Sequence, residues 1–260
     1  MRKYLILCKE SLRISIAAAT TYRLNFILGS FITLVSNIMF PLVTLLIYQT
    51  GVAFEGWTLY EVLLIQSIFT LSSGLSQMFF YGIVFSTMGH VREGTLEIVL
   101  IKPVNCLFYL MATTFNVENV SVVLGGLVLF LVAIVNVGTI TAVMWMQFAI
   151  LFIAGILVML AMSLLMAATS FKWVANSRIP EMYSSILRFG IYPQSIFPKL
   201  LQSATAFVIP VAMVGFFPAA SLLGRTDFLM FVAILPCLLF VGIGITIYQR
   251  MVRLYEGVGG

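Results

Sequence analysis

Side chains able to do acid–base, nucleophilic or metal chemistry are sparse in this chain of 260 residues. His90 is the single histidine, so one chain cannot assemble a His-based metal cage or a Ser–His–Asp triad. Cys8, Cys106 and Cys237 are far apart and odd in number, so they form no metal-binding or redox spacing. We interpret them as small apolar residues that fill space. Motifs of metalloproteases, serine hydrolases and Walker-type ATP sites are absent from the sequence. The residues therefore predict no catalytic site and no metal site, and driven work would need energy from another subunit.

Polar side chains recur along one face of a hydrophobic stretch. Gln66, Thr70, Ser73 and Gln77 are spaced at i, i+4, i+7 and i+11, so they share one side of a helix. In lipid such a face usually marks a contact between helices, and the alternative is a partly hydrated translocation pathway. The four residues are the candidates for that pathway. Glycines that should permit close helix packing in the same way are Gly125, Gly126, Gly242 and Gly244.

One acidic residue lies inside an apolar region and is a further pathway candidate. Glu118 sits between Asn116 and Asn119, where a buried charge would be costly and is often functional. The alternative is a helix start, at which the carboxylate caps backbone donors or faces interfacial water. A proton-coupled transporter would be expected to carry more than one such group.

The composition restricts the class of protein that positions these residues. The chain is 62% hydrophobic and 9% charged, whereas a soluble domain is about a quarter charged. Such a chain lacks the polar residues to cover its own surface in water, which excludes a soluble enzyme, a disordered chain and a nucleic-acid-binding module. The composition indicates an all-α polytopic membrane protein.

Six stretches are candidates for crossing the hydrocarbon core, which takes roughly 20 apolar residues. The fifth is interrupted by Pro210 and Pro218 and the sixth by Pro236, which membrane helices tolerate. The predicted spans are Phe26–Tyr48, Val62–Phe85, Val120–Val137 (entered from about Leu107), Met146–Phe171, Ser203–Leu223 and Phe228–Tyr248.

The basic residues predict the orientation of these spans. Of the 14 Lys and Arg, 13 fall on one side and only Arg225 falls on the other. The positive-inside rule then places both termini in the cytoplasm.

The residues before the first span predict an amphipathic helix, Tyr4–Thr20, that lies along the cytoplasmic interface. Its apolar face carries Leu5, Cys8, Leu12 and Ile16, and the opposite face carries Lys9 and Arg13.

A second charged segment, Asn176–Lys199, has two interpretations. It carries Arg178, Glu181 and Arg188, which favours an interfacial cytoplasmic helix over a span. The alternative is a short polar span, Ile179–Pro193, followed by a re-entrant hairpin up to Leu223. Both arrangements keep six crossings, and they differ in the side of the membrane that holds Lys199.

The loop between the second and third spans predicts a short helix that begins at Gly94 and Thr95 and ends before Pro103. Its apolar strip could dock into a groove of a cytoplasmic partner or rest on the membrane surface, and the physical argument favours neither. The predicted water-facing residues are Arg92, Glu93 and Glu97, and the predicted strip is Leu96, Val99 and Leu100.

The same loop resembles a signature of bacterial ABC-2 type permeases, in a branch once classed as a domain of unknown function. The resemblance rests on Arg92–Asn105, which reads REGTLEIVLIKPVN. Further matches follow in order over nearly the whole chain: Tyr22–Asn25, Tyr192–Pro198, Phe207–Ala212, Phe217–Pro218 and Leu222–Gly224.

The resemblance implies the permease subunit of an ATP-driven exporter in the bacterial plasma membrane. Two permease subunits, identical or paralogous, would form the pathway in membrane lipid and pair with two copies of a separate ATP-binding subunit. ATP and magnesium would bind to that partner, with no cofactor in this chain and no nucleic acid. The rival hypothesis is a secondary transporter or channel that works without an ATPase.

The resemblance also assigns regions to one transmembrane domain, 1–260. The loop between spans two and three would couple the permease to the ATPase, through Arg92, Glu93, Gly94, Thr95, Leu96 and Glu97. The expected regions are an interface helix (1–25), spans one and two (26–85), the coupling loop (86–106), spans three and four (107–171), the interfacial or re-entrant region (172–223), and span six with a cytoplasmic tail (224–260).

Overall fold

A computed structural model describes residues 2–173 and 178–255, and within these ranges the chain forms helices and turns without a β-strand. Five helical stretches are long and apolar enough to cross a membrane, which confirms an all-α polytopic architecture. These stretches are Arg23–Gln49, Leu59–Glu93, Val117–Val135, Ala142–Thr169 and Phe228–Arg253.

Thirteen α-helices follow one another along the described ranges, joined by loops and short 3-10 or π turns. They are α1 Arg2–Thr21, α2 Arg23–Gln49, α3 Leu59–Phe79, α4 Gly82–Glu93, α5 Leu96–Leu100, α6 Cys106–Thr113, α7 Val120–Val135, α8 Ala142–Thr169, α9 Arg178–Leu187, α10 Lys199–Ser203, α11 Phe216–Leu222, α12 Phe228–Val232 and α13 Ile234–Arg253. The 3-10 turns are Val117–Asn119, Arg188–Ile191, Gln194–Ile196 and Val211–Met213, and the π turn is Ala204–Val208.

Polar caps determine where several of these helices begin. At the start of α3, the Thr58 amide donates to the Glu61 carboxylate (2.8 Å) and Thr58 Oγ1 accepts from the Glu61 amide (3.4 Å). Thr141 caps α8 and Asn105 caps α6 by accepting from backbone amides of the first turn. Each cap satisfies a donor that the helix itself leaves unpaired.

The second and third predicted spans are both interrupted. The second span breaks at Phe80–Tyr81 and continues as α4 to Glu93. In the third, the chain breaks at Thr114–Asn116, because the Asn116 side chain accepts from the Glu118 amide (2.8 Å) and starts a new turn. The expected continuous entry from Leu107 is therefore wrong.

The core is built on α3 and α8, with α7 packed against α3 and α13 packed against α8. Small residues allow this approach: a Cβ on Gly126 would meet Leu71 at 3.1 Å, and one on Gly244 would meet Ala161 at 3.1 Å. Both glycines therefore have the predicted packing role. Gly242 does not, since its side of α13 faces open space.

The fifth predicted span, Ser203–Leu223, is not a continuous helix. α10 runs into the π turn, the chain is extended at Ile209 (φ −121°, ψ 93°), and α11 begins only at Phe216. Pro210 causes this break, because a proline disfavours helical geometry in the residue before it and has no amide hydrogen to donate. The prediction of one spanning helix here is wrong.

Residues 178–195 instead run antiparallel to α3 along its length. Tyr183 packs beside Tyr81, just past the carboxyl end of α3, with ring centroids 5.7 Å apart. Tyr192 packs against Phe54, just before the amino end of α3, at 5.9 Å. The predicted interfacial helix begins at 176, so its first two residues lie outside the described ranges.

The chain then makes a hairpin that reaches half the depth of the bundle. Ser72, near the middle of α3, donates to the carbonyl of Val214 (2.9 Å). Arg225 returns to the amino end of α3, where it forms an ion pair with Glu61 (2.6 Å). α12 and α13 follow from that end.

Candidate functional site

A polar cavity of about 270 Å³ opens between α2, α3 and α9. α2 contributes Asn37 and Phe40 to its wall, and α9 with its following turn contributes Tyr183 and Arg188. Pro41, a proline inside α2, lines the cavity beside Phe40.

The structure brings the four residues of the predicted polar face together along this cavity. Gln66 is buried (1% exposed) and its amide nitrogen donates to the Thr44 hydroxyl of α2 (2.7 Å). Gln77 Nε2 donates to Ser73 Oγ (2.9 Å), and Thr70 donates to the Gln66 carbonyl of its own helix (2.8 Å). The polar face thus joins α3 to α2 and also lines the cavity. Its role as a pathway stays a prediction.

Three buried polar atoms at the cavity have no hydrogen bond among the described residues: Gln66 Oε1, Ser76 Oγ and the Tyr183 hydroxyl oxygen. The Tyr183 hydroxyl lies near those of Ser76 and Ser163, but without hydrogen-bond geometry. A buried polar group without a partner costs about 1–3 kcal/mol. We therefore expect water or a bound molecule to occupy the cavity and supply the partners.

Arg188 is the one charged side chain on the described cavity wall. Its guanidinium carbon lies 5.5 Å from the centroid of the Phe40 ring, within the range of a cation–π contact. The ion pairs within the described ranges join Arg13 to Glu10 and Arg225 to Glu61, so Arg188 has no carboxylate within 4 Å there.

The sequence does not single out Arg188 and Tyr183 as partners of the polar face. Their position depends on the antiparallel path of residues 178–195, which is set by long-range packing. The available signal is the charge in the Ile179–Pro193 alternative, since an arginine within a span faces a polar interior in most membrane proteins.

Glu118 lies apart from this cavity. It is half-buried in a second cavity between α1, α2 and the turn before α7, together with Ser15, Tyr22 and Asn25. A Cβ on Gly29 of α2 would approach the Glu118 carboxylate to 2.9 Å. The structure therefore places Glu118 against α2 near its start and does not join it to Gln66.

The six predicted coupling residues lie where α4 meets α5: Arg92 and Glu93 end α4, Gly94 and Thr95 form the turn, and Leu96 and Glu97 begin α5. Gly94 ends α4 in the left-handed conformation (φ +67°), so it terminates one helix and does not begin the next. Thr95 precedes α5, and its hydroxyl is hydrogen-bonded to His90 Nδ1 (2.8 Å). Arg92, Glu93 and Glu97 are exposed, as predicted.

The predicted apolar strip on α5 is wrong in two of its three residues. Leu96 and Val99 are buried in the core of the chain itself, at 0% and 2% exposed. The exposed apolar side chains are instead Ile98, Leu100 and Ile101. Because α5 turns Leu96 inward, that residue anchors the helix and is closed to a partner in this structure.

These features define a multi-pass α-helical membrane protein with a polar cavity between its helices. The model of a protein family described as ABC-2 family transporter protein matches residues 20–259, and the chain belongs to this family. The match confirms the resemblance found at Arg92–Asn105. ABC-2 permeases are transport components and are not themselves catalytic. Comparisons with curated proteins and with solved structures gave no match.

Proposed function

We propose that this chain is the permease subunit of an ATP-driven exporter, forming the pathway as a dimer with an identical or paralogous permease. Permeases of the ABC-2 family generally work with ATP-binding subunits. The family match over residues 20–259 is the observation that carries the proposal. Two copies of the ATP-binding subunit would bind ATP and magnesium, and this chain would bind neither.

The proposed topology has six crossings with both termini in the cytoplasm of a bacterial cell. Five are the long apolar stretches, and the sixth is residues 178–195, whose run along α3 supports this assignment. The hairpin after Tyr192 would be re-entrant from the outer side. Lys199 then lies outside with Arg225, and Arg188 lies within the sixth crossing. The positive-inside bias remains strong because the other 11 of the 14 basic residues stay in the cytoplasm.

The α4–α5 turn is the proposed coupling element. α3 alone has 21 residues, or about 31 Å at 1.5 Å per residue, which already spans the hydrocarbon core of about 30 Å. Beyond the break at Phe80–Tyr81, α4 extends the stretch Leu59–Glu93 by a further 12 residues. One end of this stretch must therefore project from the membrane. Glu61 and Thr58 lie at the other end, next to the short loop from α2, so the projecting end is the one that carries Glu93.

The projecting turn presents a mixed surface to the cytoplasm. Arg92, Glu93 and Glu97 are exposed, and so are Ile98 and Ile101, a combination of charged and apolar side chains suited to a groove on a soluble partner. Buried Leu96 and Val99 hold α5 against the bundle, and α5 contacts α4 and α6, so that a force on the turn would be transmitted to these two helices.

The mechanism follows from two-state coupling. Closure of the ATPase dimer on ATP would move the coupling turns and shift the permease pair from inward-facing to outward-facing. Nucleotide can drive this shift only if it binds one of the two states more tightly. The polar face of α3 would then be exposed alternately to each side.

The coupling assignment is tested by pull-down from detergent-solubilised membranes through a tag on this chain. The double variant Glu97→Arg and Ile98→Asp is expected to lose at least about tenfold of the copurifying ATPase, since charge and apolar complementarity are both removed. The matched control is Glu55→Arg, a charge reversal on an exposed residue at the opposite end of the bundle. Equal recovery of ATPase with both variants would contradict the assignment of the coupling surface.

A further inference from the structure

The charge on the described wall of the cavity between α2, α3 and α9 is positive only. Among its described lining residues there is one cation, Arg188, and no aspartate or glutamate. We propose that this cavity binds the anionic group of an amphiphilic substrate, with Arg188 as its charge partner. This inference rests on the proposed permease function, because it assigns the cavity to the transported molecule.

The depth of Arg188 makes a bound anion favourable. Its contact Phe40 is the eighteenth of the 27 residues of α2, about 25 Å along the helix from its start and about 13 Å from its end. A cation at such depth is costly in a membrane unless it meets an anion or water. The guanidinium offers a planar set of donors that matches a carboxylate, sulfonate or phosphate.

The remaining walls divide into a polar part and an apolar part. Three groups have unused hydrogen-bonding capacity: the hydroxyl groups of Ser76 and Tyr183, and the side-chain oxygen Oε1 of Gln66. Pro41 and Leu187 provide apolar surface beside them. A ligand that fits both parts carries an anionic group, at least one hydrogen-bonding group and an apolar body.

A cationic ligand fits this cavity poorly. No described carboxylate lines it, and of the aromatic rings on its wall, Phe40 already faces the Arg188 guanidinium. The nearest acid along α9, Glu181, is exposed and does not line the cavity. The charge of the site therefore selects against cations.

The anionic group could belong to a soluble amphiphile or to the headgroup of an anionic phospholipid. Both present the same chemistry to Arg188. The two sources are distinguished by the lipid composition in which binding is measured.

The test uses the full chain in nanodiscs of zwitterionic phosphatidylcholine and three fluorescent probes with one pyrene body. The probes carry a carboxylate (pyrenebutyrate), a hydroxyl (pyrenebutanol) or a trimethylammonium group. Empty nanodiscs give the background from partitioning into lipid. Wild-type protein is expected to bind pyrenebutyrate more tightly than the trimethylammonium probe.

Arg188→Gln is expected to weaken pyrenebutyrate binding by about tenfold or more, because a charge-assisted hydrogen bond is lost. Arg188→Lys should retain part of the affinity. Unchanged pyrenebutanol binding by the Gln variant shows that the cavity is still folded. The matched control is Arg250→Gln, which removes the same charge from an exposed position on α13 outside the cavity.

The outcomes separate this inference from the proposed function. Equal pyrenebutyrate binding by wild type and Arg188→Gln, or a preference of wild type for the trimethylammonium probe, overturns the anion site even if an ATPase copurifies. Arg188-dependent binding by a chain that transports without an ATPase supports the site and overturns the exporter. Competition by added phosphatidylglycerol supports a lipid headgroup as the anion, and its absence supports a soluble amphiphile.

Discussion

Gly155 is the residue at which α8 meets the backbone of the hairpin. A Cβ at this position would collide with the carbonyl oxygen of Met213 and lie 3.1 Å from the Val214 Cα. Both neighbours are backbone atoms, so they cannot move aside as the end of a flexible side chain can. The absence of a side chain at Gly155 therefore sets how closely the hairpin approaches the core.

Gly155→Ala is expected to destabilise the protein by about 1–3 kcal/mol, the usual cost of overpacking a tight interface. The measurement is the apparent Tm in detergent, followed by the fraction of monodisperse protein after heating. Gly242→Ala on α13 is the control, because nothing lies within 4 Å of the added methyl group. Equal Tm values for the two variants would show that the approach at Met213 is looser than described.

Single residues were predictable from the sequence where local spacing decides their position. The i, i+4, i+7 pattern of Gln66, Thr70 and Ser73 requires only helical geometry, and the structure places all three on one cavity wall. Arg188 and Tyr183 complete that wall from a segment more than 100 residues away in the chain. Spacing within a helix contains no information about such a contact.

Trp57 joins three elements at the end of the bundle where α3 begins. Its Nε1 donates to Ser195 Oγ (2.9 Å), its ring packs against Phe216 of α11 (centroids 5.7 Å apart), and the Arg225 guanidinium carbon lies 4.3 Å from the ring centroid. One side chain thus connects the start of α3 to both ends of the hairpin.

Trp57→Ala is expected to loosen the hairpin while the long helices remain packed, since the three contacts are lost together. Amide hydrogen exchange over residues 194–214 should increase by about tenfold or more, in line with a local opening free energy lowered by more than about 1.4 kcal/mol. The control is Trp173→Ala, which changes an exposed tryptophan that follows the carboxyl end of α8. Unaltered exchange in the Trp57 variant would mean that other contacts hold the hairpin.

Elements were predictable to different degrees for physical reasons. Long apolar runs predicted α2, α7 and α8 well, because length and hydropathy alone decide whether a helix suits the membrane. The prediction of which face of α5 is exposed is wrong, because a five-residue helix has too few positions to form a distinct apolar face. Packing of Leu96 and Val99 against the bundle determines its orientation.

At the scale of the whole molecule, the path of residues 178–225 decides the topology. The charges in this region favoured a cytoplasmic segment, yet the structure runs it beside α3 to the end that holds Trp57 and Phe54. Composition alone does not decide between these two paths. A short polar segment is stable between helices when its polar groups face a cavity and its aromatic side chains pack against neighbouring rings.

Lys199→Cys, in a background without the three native cysteines, is expected to react with a membrane-impermeant maleimide in intact cells. The reason is that the proposed re-entrant hairpin places this exposed residue on the same side as Glu55. Glu55→Cys should label equally, and Arg92→Cys should label only after the membrane is opened. Labelling of Lys199→Cys only in opened cells would support the cytoplasmic interfacial helix instead.

The most direct test of the account is purification of the tagged chain in mild detergent, with measurement of the proteins and the ATP hydrolysis that come with it. We predict a stoichiometric ATP-binding subunit and magnesium-dependent hydrolysis that is lost when Glu97→Arg and Ile98→Asp are introduced. A transport-competent preparation that contains no ATPase would contradict the exporter and indicate a secondary transporter or channel.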